Sequence, residues 1–396
     1  MRIELLMNNL FFELKEMNKE KILKHLIEFK TISETENNSL IAFVKKYLSS
    51  FDINCTVLPG TKNQSNLYAR IGPDCEGGIF FSGHTDVVPV EGQNWLYNPF
   101  TTTETADKIY GRGTADMKGF LSIVLSLVPT IKKLKLKRPV HIMFSYDEEI
   151  GCVGIKKAIP FIQQMKRKPR YCIVGEPTNM NLVTKHKGKK NFKVTFNGIE
   201  SHSSLINDGL NAITYAAQFI NYLQSVQIEL QKKKYLDDNF DPPFTSINVG
   251  KINGGIALNI VPKKCEIEFE IRDLPNVCTS NLIKNLKQYI KKTEVEMKKI
   301  NKKAKIDFKI EDSFPGLNTH QNKSIVSIGL NALKTNKIST VSFGTEAGVF
   351  HKLGIETIIC GPGSITQAHK ANEFVKKNQL QQCELFLKNI IRSLEY

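Results

Sequence analysis

The chain has 396 residues, 41% of them hydrophobic, a formal net charge of +16 and eight cysteines. That length exceeds one ordinary domain and predicts two, with apolar content enough for a sizeable core. No segment approaches the roughly 20 continuous apolar residues that cross a bilayer. The longest candidate, Phe120 to Ile131, is interrupted by Ser122, Ser126 and Pro129. The cysteines contain no C-x-x-C pair, which excludes zinc-ribbon and thioredoxin-type readings. Several sit in apolar runs where buried reduced thiols are expected, as Cys172 and Cys360 do. The charge excess is nearly all lysine, scattered through 132–137, 166–168, 232–234 and 298–305. Little arginine and no interleaved aromatics accompany it, so solvated faces are expected rather than a nucleic-acid groove. The amino terminus lacks a signal peptide's unbroken apolar region, so a cytoplasmic protein with no nucleic-acid or membrane partner is expected.

Ile22, Leu23, Leu26 and Ile27 fall at helical spacing within 17–31, and Leu40, Ile41, Phe43, Val44 and Leu48 do so within 38–50. Short apolar runs around 53–58, 66–71 and 78–83, bounded by Gly, Pro, Asn or Asp, read as strands. A helix over 117–133, a strand over 139–145, a helix over 152–165 and a strand over 171–175 follow. This alternation predicts an α/β fold with a mostly parallel mixed sheet flanked by helices. After Pro177 the texture changes. Phe192-Lys-Val-Thr-Phe-Asn and Cys265–Ile271 alternate polar with apolar, separated by a helix pattern over 209–229 and a polar loop over 231–243, with a strand at 245–249. A helix at 279–296 and a strand at 305–310 complete an α+β unit, and the first texture returns from about 322. The expectation is a catalytic domain in two parts, 1–186 and 312–396, interrupted by an inserted α+β domain at 187–311.

Five stretches carry chemistry. In Gly77-Gly-Ile-Phe-Phe-Ser-Gly-His-Thr-Asp-Val-Val-Pro89 an apolar strand ends in His84 and Asp86, an imidazole with a carboxylate near enough to fix its tautomer. Tyr110-Gly-Arg-Gly-Thr-Ala-Asp-Met-Lys-Gly119 places Asp116 just before a helix, where an N-cap is the commoner fate and a carboxylate bridging two cations is the alternative. Ser145-Tyr-Asp-Glu-Glu-Ile-Gly151 sets three acids after a buried strand, which is either a solvated turn or a group facing positive charge. Ile173-Val-Gly-Glu-Pro-Thr178 ends a strand in Glu176, and Ile358–Lys370 runs a strand into a glycine-proline loop with His369. Each acid or histidine follows an apolar strand or opens the next helix, so a shared sheet edge would gather them. Histidines with carboxylates form a nitrogen and oxygen set suited to Zn²⁺ or Co²⁺ in hydrolytic sites.

His84-Thr-Asp-Val-Val-Pro, Gly111-Arg-Gly-Thr-Ala-Asp-Met-Lys-Gly, Asp147-Glu-Glu-Ile-Gly and Gly175-Glu-Pro-Thr resemble the signatures of the aminoacylase/carboxypeptidase superfamily of di-zinc amidohydrolases. The resemblance runs from about residue 17 to the end and marks residues 1–16 as additional. It implies a di-zinc exopeptidase-like catalytic domain and an inserted dimerisation or lid domain. It also implies a small N-acyl amino acid substrate, two Zn²⁺ per subunit with Co²⁺ as an alternative, and a homodimer. His84 and Glu176 would hold one metal and Glu149 and His369 the other, with Asp116 bridging. Glu148 would be the general base, Asp86 would orient His84, and His202 would stabilise the oxyanion in a partner's site. Arg272 would grip the substrate carboxylate, with Asn259 at a matching polar position. Glu346 in Gly344-Thr-Glu-Ala-Gly348 reads separately, as a grip for a substrate ammonium or as a plain helix-start acid. Desuccinylases, other deacylases and dipeptidases on the same scaffold would share the metal residues and differ in the pocket.

Overall fold

The computed structural model describes residues 14–395, so the additional segment lies outside the described residues as far as residue 13. The chain divides into a larger unit, formed by residues up to Lys185, Leu317–Thr340 and Thr345 onward, and a smaller one of His186–Gly316 with Val341–Gly344. The last of these segments carries no mark in the sequence that sets it apart from its neighbours.

The larger unit opens with α1 (Lys19–Glu28), whose first turn is capped by Asn18 accepting from the Lys21 N–H at 2.9 Å. It buries Ile22, Leu23, Leu26 and Ile27, the four residues at helical spacing. Then come α2 (Asn38–Ser49), β1 (Cys55–Pro59), β2 (Ser65–Ile71), β3 (Ile79–His84), β4 (Thr103–Glu104) and β5 (Lys108–Tyr110). The single helix expected over 117–133 is two, α3 (Lys118–Ser126) and α4 (Val128–Lys133). Pro129 sits in the first turn of α4, where its missing N–H leaves no bond unmade. Next are β6 (Val140–Ser145), α5 (Val153–Gln164), β7 (Tyr171–Pro177) and β8 (Leu182–His186).

The smaller unit comprises β9 (Gly188–Asn197), α6 (Ala212–Leu230), β10 (Ser246–Gly254), β11 (Lys264–Asp273), α7 (Thr279–Ile300) and β12 (Lys305–Phe314). Its antiparallel sheet has the order β10-β11-β9-β12. Phe192, Val194 and Phe196 of β9 and Cys265, Ile267, Phe269 and Ile271 of β11 point to one face. There they pack with Phe219 and Leu223 of α6 and with Leu286, Ile290 and Met297 of α7. Polar alternates occupy the other face, as a half-exposed sheet requires.

The chain then returns to the larger unit through β13 (Leu317–Asn318), α8 (Ser324–Leu333), β14 (Ile338–Val341), α9 (Ala347–Lys352), β15 (Glu356–Gly361), β16 (Phe374–Lys376) and α10 (Lys377–Arg392). Its main sheet runs β1-β2-β6-β3-β7-β15-β8-β13, with β14 on β8. The inner neighbours β6, β3, β7 and β15 are mutually parallel, and β2 and β8 flank them antiparallel. Ile79–His84 and Val140–Ser145 are buried throughout, which explains their unbroken apolar reading. Because four adjacent strands point the same way, their carboxyl ends share one edge.

Two glycines let α3 close onto that edge. A Cβ on Gly83 would stand 2.5 Å from Met117, and one on Gly175 would stand 1.9 Å from the ring of Phe120. Gly175→Ala should therefore destabilise the larger unit by about 1–3 kcal/mol or more, through overpacking against a rigid ring. Gly250→Ala, whose Cβ would meet nothing closer than 3.9 Å, is the comparison. Thermal melts of the two variants should separate, with only the first shifted down.

Candidate metal centre

His84 closes β3, Glu148 and Glu149 follow β6, Glu176 lies in β7 and His369 comes after β15. Asp116 precedes α3, which Gly83 and Gly175 admit to the sheet. All of these stand at or beyond the carboxyl ends of the parallel strands. Asp116 is their meeting point, with Oδ1 3.0 Å from His84 Nε2 and Oδ2 3.3 Å from His369 Nε2. Glu176 Oε1 lies 3.9 Å from His84 Nε2, and both Glu149 oxygens lie 3.0 Å from His369 Nε2. The cluster is buried except at His369, whose side chain is 49% exposed.

The orienting of His84 differs in detail from expectation. Its Nδ1–H donates to the backbone carbonyl of Asp86 at 2.9 Å, while the Asp86 carboxylate is farther, at 3.4 Å. This fixes the proton on Nδ1 and leaves the Nε2 lone pair for a cation. The Asp86 carboxylate serves other groups, accepting from the Ser33 hydroxyl at 2.9 Å and from the N–H groups of Glu148 and Glu149 at 3.1 and 3.3 Å. It fastens the end of β3 to the acidic turn after β6. Of the three acids in that turn, Asp147 faces elsewhere, accepting from the Glu34 N–H and the Gln64 amide. Glu148 is buried, with the Cys152 thiol 3.3 Å from its Oε1.

Burial together with neighbouring acids pushes Glu148 and Glu176 well above the usual carboxylate range, and pushes Glu149 up to about 7. Burial alone would also raise Asp116, but hydrogen bonds with His369 and His84 hold it low. His84 is raised well above its ordinary value, since Asp116 and Asp86 outweigh its burial. Hydrogen bonds to Asp116 and Glu149 raise His369 to about 10.

Five carboxylates thus confront two imidazoles, an arrangement that either takes up protons, as the raised carboxyls show, or is balanced by cations. Glu176 Oε1 is buried with no hydrogen-bond partner. Atoms of His84, Asp116 and Glu149, and of His84, Glu148 and Glu176, lie close enough together to hold a metal ion. The residues present fit divalent cations.

Glu346 lies apart from the cluster of metal-ligand candidates. It stands immediately before α9, fully buried, with its two oxygens accepting from Ser82 at 2.6 Å and Ser145 at 2.7 Å. Of the two readings of Glu346, a substrate grip or a plain helix-start acid, its burial and these two hydrogen bonds suit the second. The other expected substrate contacts belong to the smaller unit. His202 Nδ1 accepts from the Ser204 N–H at 3.2 Å, and Asn259 receives the Ser203 N–H on its carbonyl at 2.9 Å. Arg272 in β11 donates through Nε to Glu270 at 2.8 Å. Residues that sequence reasoning missed include Ser33, Arg112 and Glu373. A charged residue between glycines in Gly111-Arg-Gly113, and an acid four residues after His369, are the signals that were available.

The sequence profile of Peptidase family M20/M25/M40 matches residues 80–393. Over 360 residues the chain is 33% identical to an acetylornithine deacetylase of Pasteurella multocida strain Pm70, covering 90% of this chain and 91% of that one. An M20 family metallo-carboxypeptidase from Sulfolobus solfataricus shares the fold with a TM-score of 0.74, at 18% identity over 96% of this chain and 99% of its own. A dinuclear metal-binding peptidase of the M20 family from Bacillus subtilis does so with a TM-score of 0.64, at 15% identity over 95% and 98% of the two chains. The chain belongs to peptidase family M20/M25/M40, and is a metal-dependent hydrolase of amides. Among the described residues no helix is long and apolar enough to cross a membrane.

The direction of the His369 shift has a consequence in protein stripped of metal. An imidazole raised from about 6.5 to about 10 in the fold adds stability that is fully present below pH 6.5 and lost as pH rises through 10. His369→Ala should therefore lower the melting temperature of chelator-treated protein at pH 6, and the difference should shrink towards pH 10. Paired melts across that range check it.

Proposed function

We propose that the chain hydrolyses N2-acetyl-L-ornithine to L-ornithine and acetate. The observation that carries the reading is the shared carboxylate, Asp116 presenting one oxygen to His84 and the other to His369. Two half-sites around one carboxylate suit a pair of divalent cations, with His84, Asp116 and Glu176 holding one and Asp116, Glu149 and His369 the other. The nitrogen and oxygen donors favour Zn²⁺, two per subunit, with Co²⁺ as a working substitute. When bound, such cations polarise the amide carbonyl and acidify water.

The remaining work falls to side chains. Glu148, raised well above the usual carboxylate range by burial and neighbouring acids, takes a proton from water as the water oxygen adds to the acetyl carbon. It then gives that proton to the ornithine nitrogen as the C–N bond breaks, and the second proton of the water, left on the new carboxyl group, passes to the freed amine, so that acetate and a protonated amine leave. The low dielectric that raises Glu148 also makes it a competent acid for the second half. His202, with Nδ1 accepting a backbone N–H, carries its neutral-form proton on Nε2, the donor that an oxyanion needs. Arg272 offers its terminal nitrogens to the substrate carboxylate while Glu270 holds Nε, and Asn259 lies beside His202 as a further polar contact.

His202 would serve the site of a second copy, which makes the working form a homodimer. Support comes from the smaller unit, where the edge strand β10 and the loop after it expose Ile252, Ile256 and Leu258. The eight cysteines are all free thiols, as suits a reducing cytoplasm. The choice of acyl substrate rests on the named relative that is 33% identical over nearly the full length.

Acetate release from N2-acetyl-L-ornithine, measured with added Zn²⁺ or Co²⁺, should be rapid. Glu148→Ala should lower kcat by about 10²–10⁴-fold. Turnover of N-succinyl-diaminopimelate in place of the acetyl substrate would move the specificity to a desuccinylase. Metal removal by a chelator should abolish acetate release, and Zn²⁺ should restore it. Undiminished activity in thoroughly chelated protein would sink the metal assignment.

A further inference from the structure

Glu373 and Arg112 form a buried ion pair at 2.8 Å, each about 1% exposed, outside the set of residues assigned to the reaction. Removing such a pair from water is costly, and its retention calls for a task. Glu373 Oε1 accepts three backbone N–H groups, those of Gly113 at 3.0 Å, Ala115 at 2.9 Å and Asp116 at 3.1 Å. Its own carbonyl accepts from the Gly111 N–H at 2.9 Å. One residue therefore holds the whole turn that ends in Asp116.

Arg112 extends the grip in two directions. Its Nη1 donates to the carbonyl of Lys370, next to His369, as well as to Glu373. Its Nη2 donates to the carbonyl of Pro89 at 3.3 Å and to Gln93 Oε1 at 2.6 Å, both in the loop that follows His84 and Asp86. Gln93 in turn donates from Nε2 to the His369 carbonyl at 2.8 Å. The three loops that carry His84, Asp116 and His369 are thus tied at a single buried point. Glu373 reaches the cluster only at the backbone N–H of Asp116, and Arg112 only through the loops beside it.

We propose that Glu373 and Arg112 are the positioning pair that holds Asp116 between His84 and His369, so that both halves of the metal site are in place before a cation arrives. The inference rests on the metal reading given above. A carboxylate that must serve two cations at once has little tolerance for displacement, because a shift towards one imidazole is a shift away from the other. Backbone hydrogen bonds to a fixed, charge-compensated acceptor supply that restraint, as outer partners do for metal ligands generally.

The test measures Zn²⁺ uptake by chelator-stripped protein, in competition with a chromophoric chelator, for wild type, Glu373→Gln, Glu373→Ala and Arg112→Lys. Wild type should bind two ions. Glu373→Ala should bind the weaker ion about 10–100-fold less tightly, with a matching fall in kcat and KM changed less than about threefold. Glu373→Gln keeps an oxygen for the three N–H groups and should lie between. Leu48→Ala, in the core of α2, lowers the melting temperature without touching these loops and should leave Zn²⁺ affinity unchanged, which separates positioning from general destabilisation. Should Glu373→Ala not fold, Glu373→Gln and Arg112→Lys carry the measurement, with at least a fivefold loss expected in each. Folded variants that bind both ions as tightly as wild type would overturn the positioning role alone. Wild-type protein that takes up no Zn²⁺ would overturn the metal reading, and this role with it.

Discussion

Repulsion among buried carboxylates is the constraint that the larger unit is arranged to manage. Asp86, Asp116, Glu148, Glu149 and Glu176 come together where water is scarce, and each is buried or nearly so. No single segment could bring that charge together without unfolding locally. The fold instead delivers one or two acids from each of several elements, every one backed by a strand or helix whose apolar residues anchor it in the core. Parallel strands suit this because adjacent carboxyl ends fall along one edge. Glycines at 83 and 175 bring the start of α3, and Asp116 with it, onto the same edge.

The fastening within the cluster is done as much by backbone as by side chains. Asp86 uses its carbonyl for His84 and its carboxylate for the N–H groups of Glu148 and Glu149. That division explains how the pocket can hold the His84 tautomer and the acidic turn with one residue. The smaller unit obeys plainer rules. Its core is an amphipathic sheet covered by two helices, and its many lysines pair with glutamates at the surface, as in Lys251 with Glu268 and Lys264 with Glu266. Exposed pairs of this kind contribute little to stability.

What the sequence made legible follows from the range of the forces involved. Helices such as α1 and strands such as β3 and β6 were readable because local periodicity and burial coincide in them. The motif residues His84, Asp116, Glu149, Glu176 and His369 stood out as candidates because each comes after an apolar strand or just before a helix and belongs to a recognisable family pattern. The break between α3 and α4 was missed because a proline in a first turn looks, in one dimension, like an interruption within a helix. The short strands β4, β5 and β16 are too brief to show a period. Arg112 and Glu373 were missed for a different reason: they are some 260 positions apart, and nothing local tells a buried ion pair from two solvated charges.

Glu346 illustrates the same limit within the cluster's own surroundings. As a sequence it is an acid between small residues at a helix start, which invites a surface role. In the fold it sits between neighbouring strands, taking a hydrogen bond from Ser82 of β3 and another from Ser145 of β6. Ser145 is the residue in register with His84, and Ser82 lies two positions before it on the same strand face. The carboxylate therefore pins the ends of the two strands that carry His84 and the acidic turn. Burial pushes the Glu346 carboxyl above its ordinary range, and the hydroxyl donors on its two oxygens offset that only in part. The buried layer under the site thereby fixes the strand ends that carry the ligands, which is the form of support that metal ligands require.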